Sequence, residues 1–129
     1  MSVLKGKNVL LGVTGSIAAY KSIILLRLLK IEGADVQVIS SDSANNFVTQ
    51  LTFSTLSEKK VLTDFFEDDK KVDWVNHVEL AEWADYMIIA PITSSTLSKL
   101  VSGNADNLLV ATYMSTKCDV FFAPAMDLE

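Results

Sequence analysis

Three groups of residues in this chain have types and spacing that could do chemistry: a lone histidine, a run of four hydroxyls and a glycine–serine turn. His77, the only histidine, stands in Asn76-His-Val-Glu-Leu-Ala-Glu-Trp-Ala-Asp85, at the head of a short helical pattern. Imidazole titrates near neutral pH and so suits a proton transfer. A histidine at a helix start can equally be a polar residue facing solvent. The run Thr93-Ser94-Ser95-Thr96 follows Ala90-Pro91-Ile92 and leads into an apolar-periodic stretch. A capping side chain satisfies one or two orphan amides, so four consecutive hydroxyls exceed what a cap needs. Hydroxyls together with helix N–H groups suit a phosphate. Gly12-Val-Thr-Gly-Ser-Ile17 reads as a strand-to-helix turn whose Gly15 and Ser16 could admit an anion. A tight turn closed by a serine cap accounts for it as well. It lacks the dinucleotide pattern G-x-G-x-x-G, and no acidic residue directly ends the second strand to hold a ribose. Ala123-Pro-Ala-Met-Asp127, taken alone, is a generic strand exit.

The elements that must position these groups follow from periodicity and punctuation. Residues 8–14 predict a strand buried on both faces. Ile17, Ala18, Ile24, Leu25, Leu28 and Leu29 then fall at helical spacing over 17–32, with Gly33 where a C-cap belongs. A second strand spans Val36–Ile39, followed by the polar Ser40-Ser41-Asp42-Ser43 and a helix through Phe47. Residues 50–75 have no clear pattern, and the charges around Glu67–Lys71 read as a solvated loop. A helix over 78–83 leads to a strand at 86–90 that Pro91 ends. Helices over 93–101 and 105–114 precede a strand at 120–123. Strands alternating with helices predict an α/β, three-layer, doubly wound fold of the flavodoxin/Rossmann-like kind, a parallel sheet with helices on both faces. In such folds ligands bind beyond the carboxyl ends of the strands, where the three groups fall.

With 129 residues, half of them hydrophobic, the chain fits one domain with a real core and is not disordered. No apolar run is long enough to span a bilayer. A single cysteine, Cys118, and an N-terminus that enters a strand directly predict a cytoplasmic protein. A net charge of −5 disfavours a nucleic-acid surface but not a phosphorylated ligand. No His or Cys pair stands at metal-ligand spacing, and no nucleophile accompanies the histidine in sequence as a triad needs. The Gly-Val-Thr-Gly-Ser turn also stands where a receiver domain needs acidic residues.

Five segments, in order, resemble the flavin-containing cysteine decarboxylases. They are Gly12-Val-Thr-Gly-Ser-Ile-Ala-Ala-Tyr-Lys21, Asn76 to Asp85, Ala90-Pro-Ile-Thr-Ser-Ser-Thr-Leu-Ser-Lys-Leu100, Gly103-Asn-Ala-Asp-Asn-Leu-Leu109 and Pro124-Ala-Met-Asp127. The branch they are most similar to acts on 4′-phosphopantothenoylcysteine in coenzyme A biosynthesis. The resemblance implies bound FMN that oxidises the substrate thiol, loss of carbon dioxide from the thioaldehyde, and reduction of the resulting enethiol to 4′-phosphopantetheine. It further implies a homotrimer, possibly within a dodecamer, with FMN between subunits. By motif position Gly15, Ser16, Ser40, Phe47, Thr93, Ser95 and Thr96 would contact FMN, and Asp106 and Asn107 would lie near the flavin. Met126 and Asp127 would meet the substrate, and His77 would be catalytic.

Two departures from that pattern bear on function. The family has asparagine where this chain has Asp127, and an ionised aspartate cannot donate a hydrogen bond to a carboxylate and repels it. The family's reductive step uses a cysteine on a downstream flap, whereas this chain stops at Glu129; Cys118 sits in another context and reads as a small structural residue. The expectation is a chain missing its C-terminal portion, impaired in the second half-reaction and without cysteine ligation. A peptidyl-cysteine decarboxylase of the lantibiotic type and a non-catalytic FMN-binding regulatory subunit are the alternatives. FMN prenyltransferases share the Gly-Ser turn but lack the His-x-Glu-Leu segment. Leu80 and Trp83 are expected to bury one helix face or to meet another subunit, Phe65, Phe66 and Trp74 to be core or oligomer contacts, and Lys99 and Arg27 to be solvated helix charges. Lys21 is close enough to the Gly-Ser turn to aid an anion.

Overall fold

The computed structural model describes residues 3–63 and 76–125. Strands β1 (Asn8–Val13), β2 (Asp35–Ser40), β3 (Tyr86–Ile92) and β4 (Asp119–Pro124) form a parallel sheet in the order β2-β1-β3-β4. The helices are α1 (Tyr20–Ile31), α2 (Gln50–Ser57), α3 (His77–Trp83), α4 (Ser94–Ser102) and α5 (Leu108–Ser115), with 3-10 turns at Ile17–Ala19 and Asp42–Asn46. In β1, which runs between β2 and β3, every residue after Asn8 is buried. Val9, Leu11 and Val13 point one way and join Val36 and Val38 of β2, Leu26 and Leu29 of α1 and Phe53 of α2. Leu10 points the other way into a second core with Met87 and Ile89 of β3, Leu100 of α4 and Leu108–Val110 of α5. Period-2 alternation thus divides one strand between two cores, and the three-layer, doubly wound expectation holds. Gly12 belongs to the second face, where an added Cβ would lie 2.6 Å from Leu109 Cδ1. Glycine there lets α5 pack onto the sheet.

Several elements depart from the sequence expectations for identifiable reasons. The stretch 17–32 is not one helix: the tighter 3-10 turn precedes α1 and resets the phase of its faces. Consequently Ser22, Leu26 and Leu29 are buried, whereas Ile24 and Leu28 are exposed. Gly33 adopts φ +93° just past the helix and donates its N–H to Lys30 O, as a C-cap should. Pro91 does not end the third strand, which runs through it to Ile92. The missing proline N–H falls where the β3–β4 register breaks, between Ile89 and Ile92. Residues 50–57, without a pattern in the sequence, form α2, which is capped by Thr49 and has Phe53 and Ser57 as its buried residues. α5 starts at Leu108 rather than 105, because Asn107 is its N-cap. Leu80 and Trp83 of α3 pack on the second core, as does Cys118, whose Sγ lies 3.1 Å from Thr116 Oγ1. The expectations for Phe65, Phe66, Trp74, Glu67–Lys71, Met126 and Asp127 lie outside the described residues. Among the described residues no helix is long and apolar enough to cross a membrane.

Candidate functional site

From β1 the chain first winds outward to β2, then crosses over to β3 on β1's other side. The loops leaving β1 and β3 therefore diverge, and the crevice between them is where an α/β sheet binds ligands. Thr14 fastens the two loops together. Its buried Oγ1 donates to Pro91 O at 2.7 Å and accepts from Thr93 N at 3.0 Å, while its own N–H donates to Pro91 O at 3.2 Å. The strand-end carbonyl of Pro91 and the first amide of the hydroxyl run are thus both tied to the glycine turn.

Gly15 and Ser16 follow directly. A Cβ on Gly15 would lie 2.6 Å from Ser43 Cβ and 2.8 Å from its carbonyl carbon, so glycine is required for the β1 and β2 exits to close up. Ser16 spends its hydroxyl locally, accepting from Ala18 N at 3.1 Å as the cap of the 3-10 turn. Across the crevice Thr93 caps α4, its Oγ1 accepting from Thr96 N at 3.2 Å and donating to Thr96 Oγ1 at 3.2 Å. The cap occupies Thr93 and only the acceptor side of the Thr96 hydroxyl, whose proton is left to donate. The hydroxyls of Ser94 and Ser95, both exposed, have no hydrogen-bond partner among the described residues. They are the surplus that the sequence suggested.

Two clefts share this seam. The first, of about 490 Å³, is lined by Gly15, Ser40, Ser43, Thr93, Ser95 and Thr96, and by Lys99, Asp106 and Asn107 at its far end. The second, also about 490 Å³, lies on the α1 side between Ser16, Ile17, Tyr20 and Lys21 and the hydroxyls of Thr93 and Ser94. Ser40 is buried, its Oγ 3.1 Å from Thr63 Oγ1, which also accepts from Gln50 Nε2 at 3.0 Å. Asn107 accepts from Val110 N at 2.9 Å as the cap of α5 and donates through Nδ2 to Asp106 Oδ1 at 3.1 Å. Asp106 Oδ1 also lies 3.1 Å from Lys99 Nζ. Lys99 is therefore not simply a solvated helix charge: it lines the cleft, paired to an acid of the next helix.

Of the residues expected at the cofactor, Gly15, Ser40, Thr93, Ser95, Thr96, Asp106 and Asn107 come together in the first cleft, and Ser16 lines the second. Phe47 is exposed and lines neither. His77 is the first residue of α3, half-buried, with Nδ1 shut off from solvent, and it too lines neither cleft. Its helix is capped by Asn76, whose Oδ1 accepts from Val78 N at 3.0 Å and Glu79 N at 3.1 Å. Sequence reasoning missed Thr14, Ser43, Thr63 and Leu109. Lys99 was legible in principle, being one helical turn beyond Ser95 and Thr96 and so on their face of α4. Among the described residues no cluster of His, Cys, Asp or Glu could hold a metal.

A family model described as Flavoprotein matches residues 2–129. The chain belongs to that family. Its sequence is 41% identical over 127 residues to the coenzyme A biosynthesis bifunctional protein CoaBC of Bacillus subtilis, covering 98% of this chain and 31% of that protein. It is 44% identical over 123 residues to the CoaBC of Mycobacterium tuberculosis, covering 95% of this chain and 29% of that protein. The chain thus spans about a third of the length of these flavoprotein relatives. Among solved structures, the FMN-dependent cysteine decarboxylase SpaF superposes with a TM-score of 0.86 at 28% identity, covering 97% of this chain and 71% of that one. A PPC decarboxylase mutant complexed with pantothenoylaminoethenethiol superposes at 0.77 with 32% identity, covering 94% and 68%.

Proposed function

We propose that this chain is the FMN-binding decarboxylase portion of a coenzyme A biosynthesis protein, a carboxy-lyase that removes carbon dioxide from 4′-phosphopantothenoylcysteine. One observation carries the reading: at the α4 N-terminus the cap is made by Thr93 and Thr96 and leaves the hydroxyls of Ser94 and Ser95 free, in clefts that the Gly15 turn also lines. Hydroxyls without internal partners beside helix amides fit a phosphate ester. The relatives named for coenzyme A biosynthesis, at 41% and 44% identity, favour the phosphorylated substrate over a peptide.

In this reading Gly15 gives the flavin close access to backbone, and Ser95 and Thr96 hold its phosphate. Ser40 and Thr63 offer hydroxyls to its polar chain, while Leu109 supplies an apolar wall. Bound FMN would supply a two-electron acceptor for the substrate thiol. His77 would move a proton at a group near the flavin, as an imidazole placed against a reacting group can. Since it lines neither cleft of its own chain, we assign it to the flavin of a neighbouring subunit in a homotrimer, possibly part of a dodecamer. An exposed apolar stripe on α1 supports self-association: Tyr20, Ile24, Leu28 and Ile31 lie on one side, and Tyr20 lines the second cleft together with the exposed Ile17 of the preceding 3-10 turn. Met126 and Asp127 are assigned to the substrate on motif position, and the cytoplasm is the proposed location.

The test begins with the visible spectrum of the purified protein and identification of any released flavin. Anaerobic mixing with 4′-phosphopantothenoylcysteine should then bleach the flavin band and release carbon dioxide. Bleaching only by a peptide ending in cysteine would transfer the chain to the peptidyl-cysteine decarboxylases. A colourless protein that takes up no added FMN would sink the flavin reading. The subunit assignment has its own test, mixing two inactive variants, His77→Asn and Ser95→Asp. Random reassembly in a symmetric ring should rebuild about a quarter of the sites; no recovery would place His77 in its own subunit's site.

A further inference from the structure

The charges in the first cleft are poorly arranged for the anion it is proposed to take. Asp42 and Asp106 line it, and Lys99 is the only basic side chain among the described residues that line it. That one ammonium is already paired, 3.1 Å from Asp106 Oδ1. The pair is easily broken, because the Lys99 and Asp106 side chains are 34% and 50% exposed. Asp106 would not be stranded by the loss, since the same oxygen also accepts from Asn107 Nδ2 at 3.1 Å. Lys99 sits one turn beyond Ser95 and Thr96 on the same face of α4, and its flexible stem gives the ammonium several ångströms of reach. A phosphate held by those hydroxyls would therefore be a competing partner for Lys99.

We propose that Lys99 is the residue by which this cleft distinguishes a phosphorylated flavin from the free flavin. On cofactor binding it leaves Asp106 for the phosphate, and Asp106 sets the preference by competing for it. This rests on the reading of the first cleft as the flavin site. No bond is made or broken; one ion pair replaces another, and the incoming dianion is the stronger partner. Riboflavin, which lacks the phosphate, leaves the Lys99–Asp106 pair intact.

The experiment is a fluorescence titration of the flavin-free protein with FMN and with riboflavin at fixed ionic strength. It compares the wild type with Lys99→Met, Lys99→Arg and Asp106→Asn. Loss of one charge-assisted hydrogen bond predicts that Lys99→Met weakens FMN about tenfold and leaves riboflavin within about twofold. Lys99→Arg should retain most of the preference. Asp106→Asn should raise the ratio of FMN to riboflavin affinity, because it frees the ammonium. Added salt should weaken FMN binding more in the wild type than in Lys99→Met. Equal weakening of both flavins in Lys99→Met would make Lys99 a structural residue and overturn the proposal, as would no change in either. A fall in the ratio with Asp106→Asn would overturn the competition. A wild type that binds both flavins equally would refute the phosphate placement, and one that binds neither would refute the flavin site itself.

Discussion

Replacing Thr14 with valine keeps the shape of a buried side chain and deletes one hydroxyl. That hydroxyl is the bridge between the two loops of the crevice, donating to Pro91 O at 2.7 Å and accepting from Thr93 N at 3.0 Å. The two losses differ in size. Pro91 O retains the Thr14 N–H at 3.2 Å, so it remains partly satisfied. The Thr93 amide has no substitute acceptor in a part-buried position, and an unsatisfied donor of that kind costs about 1–3 kcal/mol. The donated bond adds about 1 kcal/mol, giving a total destabilisation of about 2–4 kcal/mol for Thr14→Val. At a urea dependence of about 2 kcal/mol per molar, the unfolding midpoint of the flavin-free protein should fall by about 1–2 M without a change in slope. Thr14→Ser, which keeps the hydroxyl, should lose less than half as much. FMN affinity should drop in the valine variant beyond what stability explains, since the α4 N-terminus loses its tie to the glycine turn. A midpoint shift under about 0.2 M would mean that the bridge contributes nothing net, and the account of how the crevice is held would be wrong.

Gly15→Ala should abolish flavin binding and destabilise the fold by about 2 kcal/mol or more, because its Cβ would press on Ser43 at 2.6 Å with backbone behind it; retained binding in an equilibrium titration would contradict this. Ser95→Ala should leave the urea midpoint unchanged, since its hydroxyl bonds to nothing among the described residues, yet weaken FMN about tenfold. Asn107→Ala removes the α5 cap and should cost about 1 kcal/mol in chemical denaturation, with a matching loss at the cleft. Ile24→Lys with Leu28→Glu should convert any oligomer seen by light scattering into smaller species while the far-ultraviolet spectrum stays the same, because both side chains are exposed within one chain.

The fold was readable wherever a segment is buried on one side or throughout. β1 is an unbroken apolar run because layers cover both its faces, and Gly33 marks a helix end because only a positive φ turns the chain there. Reading failed where tertiary contacts outweigh local pattern. The stretch 50–57 mixes threonine and serine with three large apolar residues, and its helix survives by packing Phe53 against α1 and β2. Pro91 signals a strand end to any local rule, yet β3 keeps it because its carbonyl, the half of the peptide that proline retains, is what Thr14 needs.

The site divides along a similar line, between groups that local structure consumes and groups that it leaves over. Ser16, Thr93 and Asn107 each look like ligand residues in the sequence, and each is occupied as a cap. Ser94 and Ser95 look no different in sequence, but the hydrogen bonds of their neighbours leave them free. Counting donors against caps was enough to predict that surplus, because the demands of a helix N-terminus are local. Lys99 and Thr14 escaped the same count, since their partners lie on other elements: Asp106 beyond the end of α4, and Pro91 on a strand 77 residues away. His77 is the remaining case. Its type argues for chemistry, yet it lines neither cleft of its own chain, and the proposed site shared with a neighbouring subunit would reconcile the two.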